Sequence, residues 1–293
     1  MSPAPRTRLI PGDLVAFPAA GRLLDGFWRH GRERQPRLLV LVHGMGGNYY
    51  RSALKQELME RGPAAGCDVL SFNNRGSGEG VLTERFSGCL ADLDGALAFG
   101  RRAGYRRFIL AGHSTGCQKI AYYQSRRKDP AVEAFVHLAP GDDYAITARE
   151  MGERALGRLV ARLSKRAAAG KGAEPVPRVK GLPEMCAGFS CERFLSIADP
   201  RRVEAGLFRY GGPLRVFSRL ALPTLVLFGD REEFACLPLE RMAAILRAKT
   251  AAACFRFRVI RGADHGFHGK EREAAAAVYA FIRSLPRAKG ATC

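Results

Sequence analysis

The amino-acid sequence predicts an α/β fold, with a mostly parallel central sheet flanked by helices and a helical cap inserted late in the chain. Three observations carry that expectation. Short β-branched or apolar runs alternate with longer helix-like segments, the rhythm of strand–helix–strand units. One run, Leu38 to His43 (LLVLVH), is apolar up to its last residue, as expected of a strand buried on both faces. The rhythm breaks from Pro140 to about Leu222 and then resumes. Residues 1–139 and 223–293 therefore read as one core, and 140–222 as a cap or lid laid over one edge.

Taken in order, Asp13 to Pro18 and Arg22 to Trp28 read as two strands joined by a turn at Ala20-Gly21. After Leu38 to His43, a helix over Tyr50 to Arg61, a strand over Val69 to Phe72 and a helix over Gly88 to Ala103 follow. Then come the strand Arg107 to Ala111 (RFILA), a helix over Thr115 to Arg127 and the strand Val132 to Leu138. The cap opens with a long, basic, amphipathic run from Ile146 to Ala169. A link rich in Gly and Pro (170–181) and helix-like pieces around Leu182 to Ala205 complete it. The core resumes with the strand Thr224 to Phe228, a helix over Pro238 to Ala248, the strand Phe255 to Ile260 and a last helix over Lys270 to Ser284.

A chain of 293 residues is long enough for one large core, and 47% hydrophobic with 26% charged residues excludes a disordered chain. The formal net charge of +19 invites a nucleic-acid reading. Its distribution argues against one: segments 1–37, 38–139, 140–222 and 223–293 carry +4, +4, +6 and +5, so no tail or stripe holds the excess. The bases are 38 Arg to 9 Lys in an Ala-rich background, which fits codon composition. The first thirty residues hold no apolar stretch long enough for a leader or a membrane span, so a cytoplasmic protein without stable membrane insertion is expected. Eight scattered cysteines, with no C-x-x-C pair, suggest neither a disulfide framework nor a metal site.

The sharpest chemical signal is Gly112-His113-Ser114-Thr115-Gly116, which follows the strand RFILA and opens a helix. In that strand–turn–helix setting G-x-S-x-G is a nucleophile elbow, its glycines making room for a tight, strained turn. A serine hydroxyl needs a base, and the base a third group to hold it. Of the six histidines, His265 in Gly262-Ala263-Asp264-His265-Gly266-Phe267 sits where the chain order Ser, acid, His puts the base. His268, three residues on, reads as a solvated histidine at the start of the last helix. Phe228-Gly229-Asp230-Arg231-Glu232-Glu233 supplies three rival acids: Glu232, with Asp230 as the alternative, and Glu233, expected to point elsewhere.

His43-Gly44-Met45-Gly46-Gly47 follows a buried strand, at the place where such a site draws one oxyanion donor. The expected donors are the backbone amides of Met45 and Thr115, with Gly44, Tyr49 and His113 contacting substrate. Asn73-Asn74-Arg75-Gly76-Ser77-Gly78 lacks the Lys-Ser/Thr of a phosphate loop and reads as a structural turn, with Arg75 tying loops together. Cys117 reads as a small core residue. No cofactor is implied.

With these motifs in order, the sequence resembles the α/β-hydrolases over nearly its whole length. Gly112 to Gln118 (GHSTGCQ), His137 to Asp143 (HLAPGDD) and Arg193 to Ile197 (RFLSI) are similar to the fusarinine C esterases, which cleave ester bonds of hydroxamate siderophores inside the cell. That resemblance places Glu232 where relatives usually carry Asp. It implies a serine hydrolase acting on a carboxylic ester of a small molecule, siderophore-like or other, through an acyl-enzyme. An acyltransferase or thioesterase with the same triad, and a non-catalytic binding protein on the same fold, are the rival expectations.

Overall fold

The computed structural model describes residues 9–286. Cys293, and the first eight residues of the stretch read for a leader, lie outside the described residues. The chain builds one eight-stranded sheet in the order β1-β2-β4-β3-β5-β6-β7-β8. Its strands are β1 (Asp13–Ala19), β2 (Arg22–Arg29), β3 (Arg37–Val42), β4 (Asp68–Phe72), β5 (Arg107–His113), β6 (Val132–Leu138), β7 (Thr224–Gly229) and β8 (Phe255–Ile260). β1 with β2 and β2 with β4 are antiparallel, and every pairing from β4 through β8 is parallel. The β1–β2 turn works because Ala20 (φ 44°) and Gly21 (φ 77°) both take the left-handed conformations of a two-residue hairpin. β3, β4 and β7 are buried along their whole length, as strands lying between helical layers should be.

Helices α1 (Ala53–Arg61), α2 (Cys89–Arg102), α3 (Gly116–Arg127), α8 (Leu239–Lys249) and α9 (Glu271–Ser284) flank the sheet. All five begin one to three residues later than the sequence suggests, and at two of them the local reason is visible. The Asn48 carboxamide oxygen accepts from the amides of Tyr50 and Arg51 at 3.1 and 2.8 Å. This turn keeps 48–51 out of the helix, and Ser52 then caps α1 by accepting from Lys55 N at 3.3 Å. At the far end, the Asp264 carboxylate accepts from both the amide and the ring of His268, at 2.9 and 2.8 Å. His268 is thereby held in a turn ahead of α9 with its side chain 73% exposed.

Between β6 and β7 the chain forms α4 (Asp143–Met151), α5 (Glu153–Arg166), α6 (Cys191–Ala198) and α7 (Val203–Leu207). The single amphipathic run expected over Ile146 to Ala169 is therefore two helices. They part at Gly152, whose φ of 79° and ψ of 136° end α4 and redirect the chain. This insertion has an apolar cluster of its own, centred on Leu156, Leu163, Phe189, Phe194 and Leu195. Met45, Val81 and Leu82 of the sheet-side loops pack against that cluster. Arg75 ties its loop to α2 as expected, its guanidinium bonding the Asp92 carboxylate at 2.7 and 3.0 Å.

Candidate active site

The carboxyl ends of β3, β5, β7 and β8 bring the sequence motifs to one edge of the sheet, where open α/β sheets place their ligands. At the end of β5, Ser114 has φ 54°, a left-handed conformation that a serine holds only when its surroundings impose it. Its amide donates to Leu138 O at 2.9 Å. A Cβ on Gly112 would lie 2.4 Å from the Gly116 backbone, and one on Gly116 would lie 2.2 Å from Val42 O. Both glycines are thus required for the turn to close against β3. Gly44 is required for a different reason, since its Cβ would come within 2.8 Å of Ser114 Cβ.

The expected base and acid meet directly. His265 Nδ1 bonds Glu232 Oε1 at 2.7 Å, with side-chain exposures of 15% and 2%. Glu232 Oε1 also accepts from Phe234 N at 3.2 Å. Because Nδ1–H points to the carboxylate, the neutral ring keeps Nε2 as an acceptor. Phe234 stands edge-on to the His265 ring at 4.8 Å and His113 packs against it at 4.9 Å. The rival carboxylates do other work. Asp230 accepts from Gly262 N at 2.6 Å, stitching the two loops, and Glu233 accepts from the main-chain amide of His265 at 3.0 Å. Ser114 and His265 line one cavity of about 540 Å³. Among the described residues neither Ser114 Oγ nor His265 Nε2 has a hydrogen-bond partner.

Across the cavity, the amides of Met45 and Thr115 donate to no acceptor among the described residues. Thr115 immediately precedes α3, so its amide lies at the positive end of a helix dipole. His43 is buried, with Nδ1 donating to Gly44 O at 2.7 Å and Nε2 accepting from Asn74 N at 3.1 Å. Burial, with the nearby Lys119 and Lys55 charges, pushes its imidazole well below the usual value, so it stays neutral and fixes the Gly44–Met45 loop. His113 donates to His265 O at 2.8 Å, and burial takes it down to about 3. It lines the cavity beside Gly44 and Met45. Tyr49 does not: its amide donates to Asn73 Oδ1, its carbonyl accepts from Ser71, and its ring packs on Tyr50.

Asp143 and Lys55 are among the polar side chains of the cavity that escaped the sequence reading. Asp143, from the GDD turn, lines it at the start of α4 with its carboxylate accepting from Gln118 Nε2 at 3.0 Å. Burial and the Glu204 charge raise it to about 8. Lys55 lines it from α1, only 6% exposed, and burial lowers its ammonium to about 8. The one hint in sequence was its neighbourhood: Leu54, Leu58 and Met59, with which it shares the buried side of α1. Among the described residues no group of three or more His, Cys, Asp or Glu could hold a metal ion, and none of the seven described cysteines forms a disulfide. No helix of the described residues is long and apolar enough to cross a membrane.

Comparison with known proteins places this geometry among relatives. A family model described as the alpha/beta hydrolase family matches residues 39–280. No curated protein matches the sequence. Among solved structures, the siderophore hydrolase EstB from Aspergillus fumigatus is similar at 19% identity and TM-score 0.69, over 95% of this chain and 98% of that one. A highly thermostable carboxyl esterase from Bacillus coagulans aligns at 11% identity and TM-score 0.69, over 93% and 98%. Est1E from Butyrivibrio proteoclasticus, solved with ferulic acid bound, aligns at 14% and 0.66, over 92% and 98%. At such identities these structures share the fold of this chain.

Proposed function

Because the chain belongs to the alpha/beta hydrolase family, we propose that it is a cofactor-independent serine hydrolase that cleaves a carboxylic ester of a small molecule through an acyl-enzyme. The observation that carries the reading is the shared cavity: Ser114 in its strained turn and His265 tethered to Glu232 both line it. In the reaction Ser114 Oγ attacks the ester carbonyl carbon while His265 Nε2 takes its proton. The carbonyl oxygen becomes an oxyanion and accepts from the free amides of Met45 and Thr115, each worth roughly 3–4 kcal/mol in such sites. Collapse breaks the C–O bond to the alcohol, which leaves with the proton from His265. Water then gives its proton to His265 and attacks the acyl carbon, releasing the acid and returning the proton to Ser114. Glu232 stays ionised throughout and stabilises the imidazolium.

The insertion supplies Asp143, Ile146, Thr147, Met185 and Ile197 to the cavity wall, and so acts as the cap that decides the substrate. The resemblance to siderophore esterases, and one such structural neighbour, bring a hydroxamate siderophore ester into the panel of candidate substrates. A fluorophosphonate probe labels the wild type at Ser114, and Ser114→Ala loses both the label and p-nitrophenyl butyrate turnover, the latter by about 10⁴–10⁶-fold. An unlabelled wild type, or a Ser114→Ala protein turning over at the wild-type rate, overturns the reading.

A further inference from the structure

Lys55 is the cavity group for which the acyl-transfer chemistry finds no use. The residue is only 6% exposed and lines the same cavity as Ser114. Among the described residues no carboxylate pairs with it, and its one hydrogen bond goes to the main-chain oxygen of Asn48. An ammonium carries three N–H donors, so two remain. Burying a charge without a counter-ion is unfavourable, and chains keep such groups where a ligand supplies the missing charge. The Lys55 charge also helps to depress the imidazoles of His43 and His113, which line the same cavity. Four residues earlier, in the turn ahead of α1, Arg51 lines the wall too, exposed, packed over the Tyr50 ring and without an acid partner among the described residues. The acids of the wall, Asp143 and Glu233, are already engaged by Gln118 Nε2 and by the His265 amide.

We propose that Lys55, assisted by Arg51, forms a subsite for a carboxylate carried by the substrate, so that the ester hydrolysed is an anionic one such as a dicarboxylic acid monoester. This inference rests on the serine-hydrolase reading for its catalytic arm only. A singly charged carboxylate fits one buried ammonium with two free donors. Arg51 at the mouth draws the anion in, and Lys55 fixes its distance from Ser114. Selectivity then comes from a buried charge left unpaired whenever a neutral ester occupies the cavity.

The test compares p-nitrophenyl hemiglutarate with p-nitrophenyl butyrate, reading the ratio of their kcat/KM values within each protein, so that a general loss of activity cancels. The wild type favours the anionic ester at least tenfold, Lys55→Met and Lys55→Gln bring the ratio to near one, and Arg51→Gln lowers it two- to fivefold. A wild-type ratio near one, or a ratio unchanged in folded Lys55 variants, overturns the subsite. A binding arm needs no hydrolysis: by calorimetry, monomethyl glutarate binds the wild type at least tenfold more tightly than dimethyl glutarate, and Lys55→Met removes the difference. If neither nitrophenyl ester turns over, the catalytic reading falls while calorimetry still decides the subsite, and equal affinity for the two glutarates overturns it.

Discussion

At the scale of single residues, three carboxylates within four positions are separated by what each one touches. Glu232 bonds the His265 ring, Glu233 the His265 main chain, and Asp230 the neighbouring loop. Glu232→Gln keeps the shape but removes the charge that holds the tautomer and stabilises the imidazolium, and lowers kcat by about 10³–10⁴-fold. Asp230→Asn, which keeps an oxygen for Gly262 N, changes kcat less than about threefold. Steady-state hydrolysis of a neutral ester distinguishes them, and equal losses in the two variants would contradict the assignment. Sequence spacing had left Glu232 and Asp230 as rivals, because a two-residue difference in a loop is decided by backbone direction, which residue identity alone does not encode. Lys55 shows the same gap. Its folded-state pKa of about 8 lies below the ordinary 10.5, so it contributes stability at high pH that is lost as pH falls through 8. At pH 7 its buried charge costs about 3 kcal/mol, at about 1.4 kcal/mol per pH unit. Lys55→Met should therefore unfold at higher urea than wild type at pH 7, with the gain shrinking between pH 8 and 10.5. A gain that grows with pH would refute that account.

At the scale of elements, Gly152 decides where α4 stops. With φ 79° and ψ 136° it occupies a region that residues with a side chain rarely enter, although a Cβ there would meet nothing within 4 Å. Gly152→Ala therefore pays for conformation alone, about 1–3 kcal/mol, measurable by chemical denaturation. Because α4 carries Asp143, Ile146 and Thr147 to the cavity wall, the same change raises KM. A variant as stable as wild type would mean that the kink relaxes freely. The break was invisible in the sequence because the apolar spacing of α4 and α5 reads as one continuous stripe, and a lone glycine in a helical pattern is usually tolerated. Strands were easier: LLVLV, RFILA and TLVLF each follow from apolar continuity between turns. The elbow was legible for a related reason. Backbone crowding around Gly112 and Gly116 leaves glycine as the residue that fits, so the geometry is written in the residue types.

At the scale of the molecule, the +19 charge has a more local meaning than its total suggests, since much of the electrostatic structure is internal. Lys119 on α3, 2.6 Å from Glu84, and Arg193 on α6, 2.5 Å from Glu204, are fully buried. Arg193 also reaches Glu84 at 3.8 Å, and Ser196 donates to Glu204 at 2.5 Å. Burial opposes the Glu84 charge, yet Lys119 and Arg193 hold its carboxyl below the usual range. Lys119 Nζ further donates to Asn74 Oδ1 at 3.0 Å, and Asn74 holds His43, which fixes the Met45 loop. A chain of buried polar contacts thus runs from α7 of the insertion to the oxyanion side of the cavity. No sequence pattern announces it, since its members lie up to 161 positions apart (His43 to Glu204) and meet only through tertiary packing. Arg193→Met strands Glu204 in the interior and costs about 3–5 kcal/mol of stability. Adding Glu204→Gln removes the stranded charge and restores at least half of that loss, the non-additivity that marks a coupled pair. Urea unfolding of the two single variants and the double variant measures it. Strict additivity would make the pair an ordinary packing contact. If coupling extends to the site, kcat on a neutral ester falls in Arg193→Met and recovers with stability in the double variant; an unchanged kcat in the folded single variant would confine the network to holding the insertion on the core.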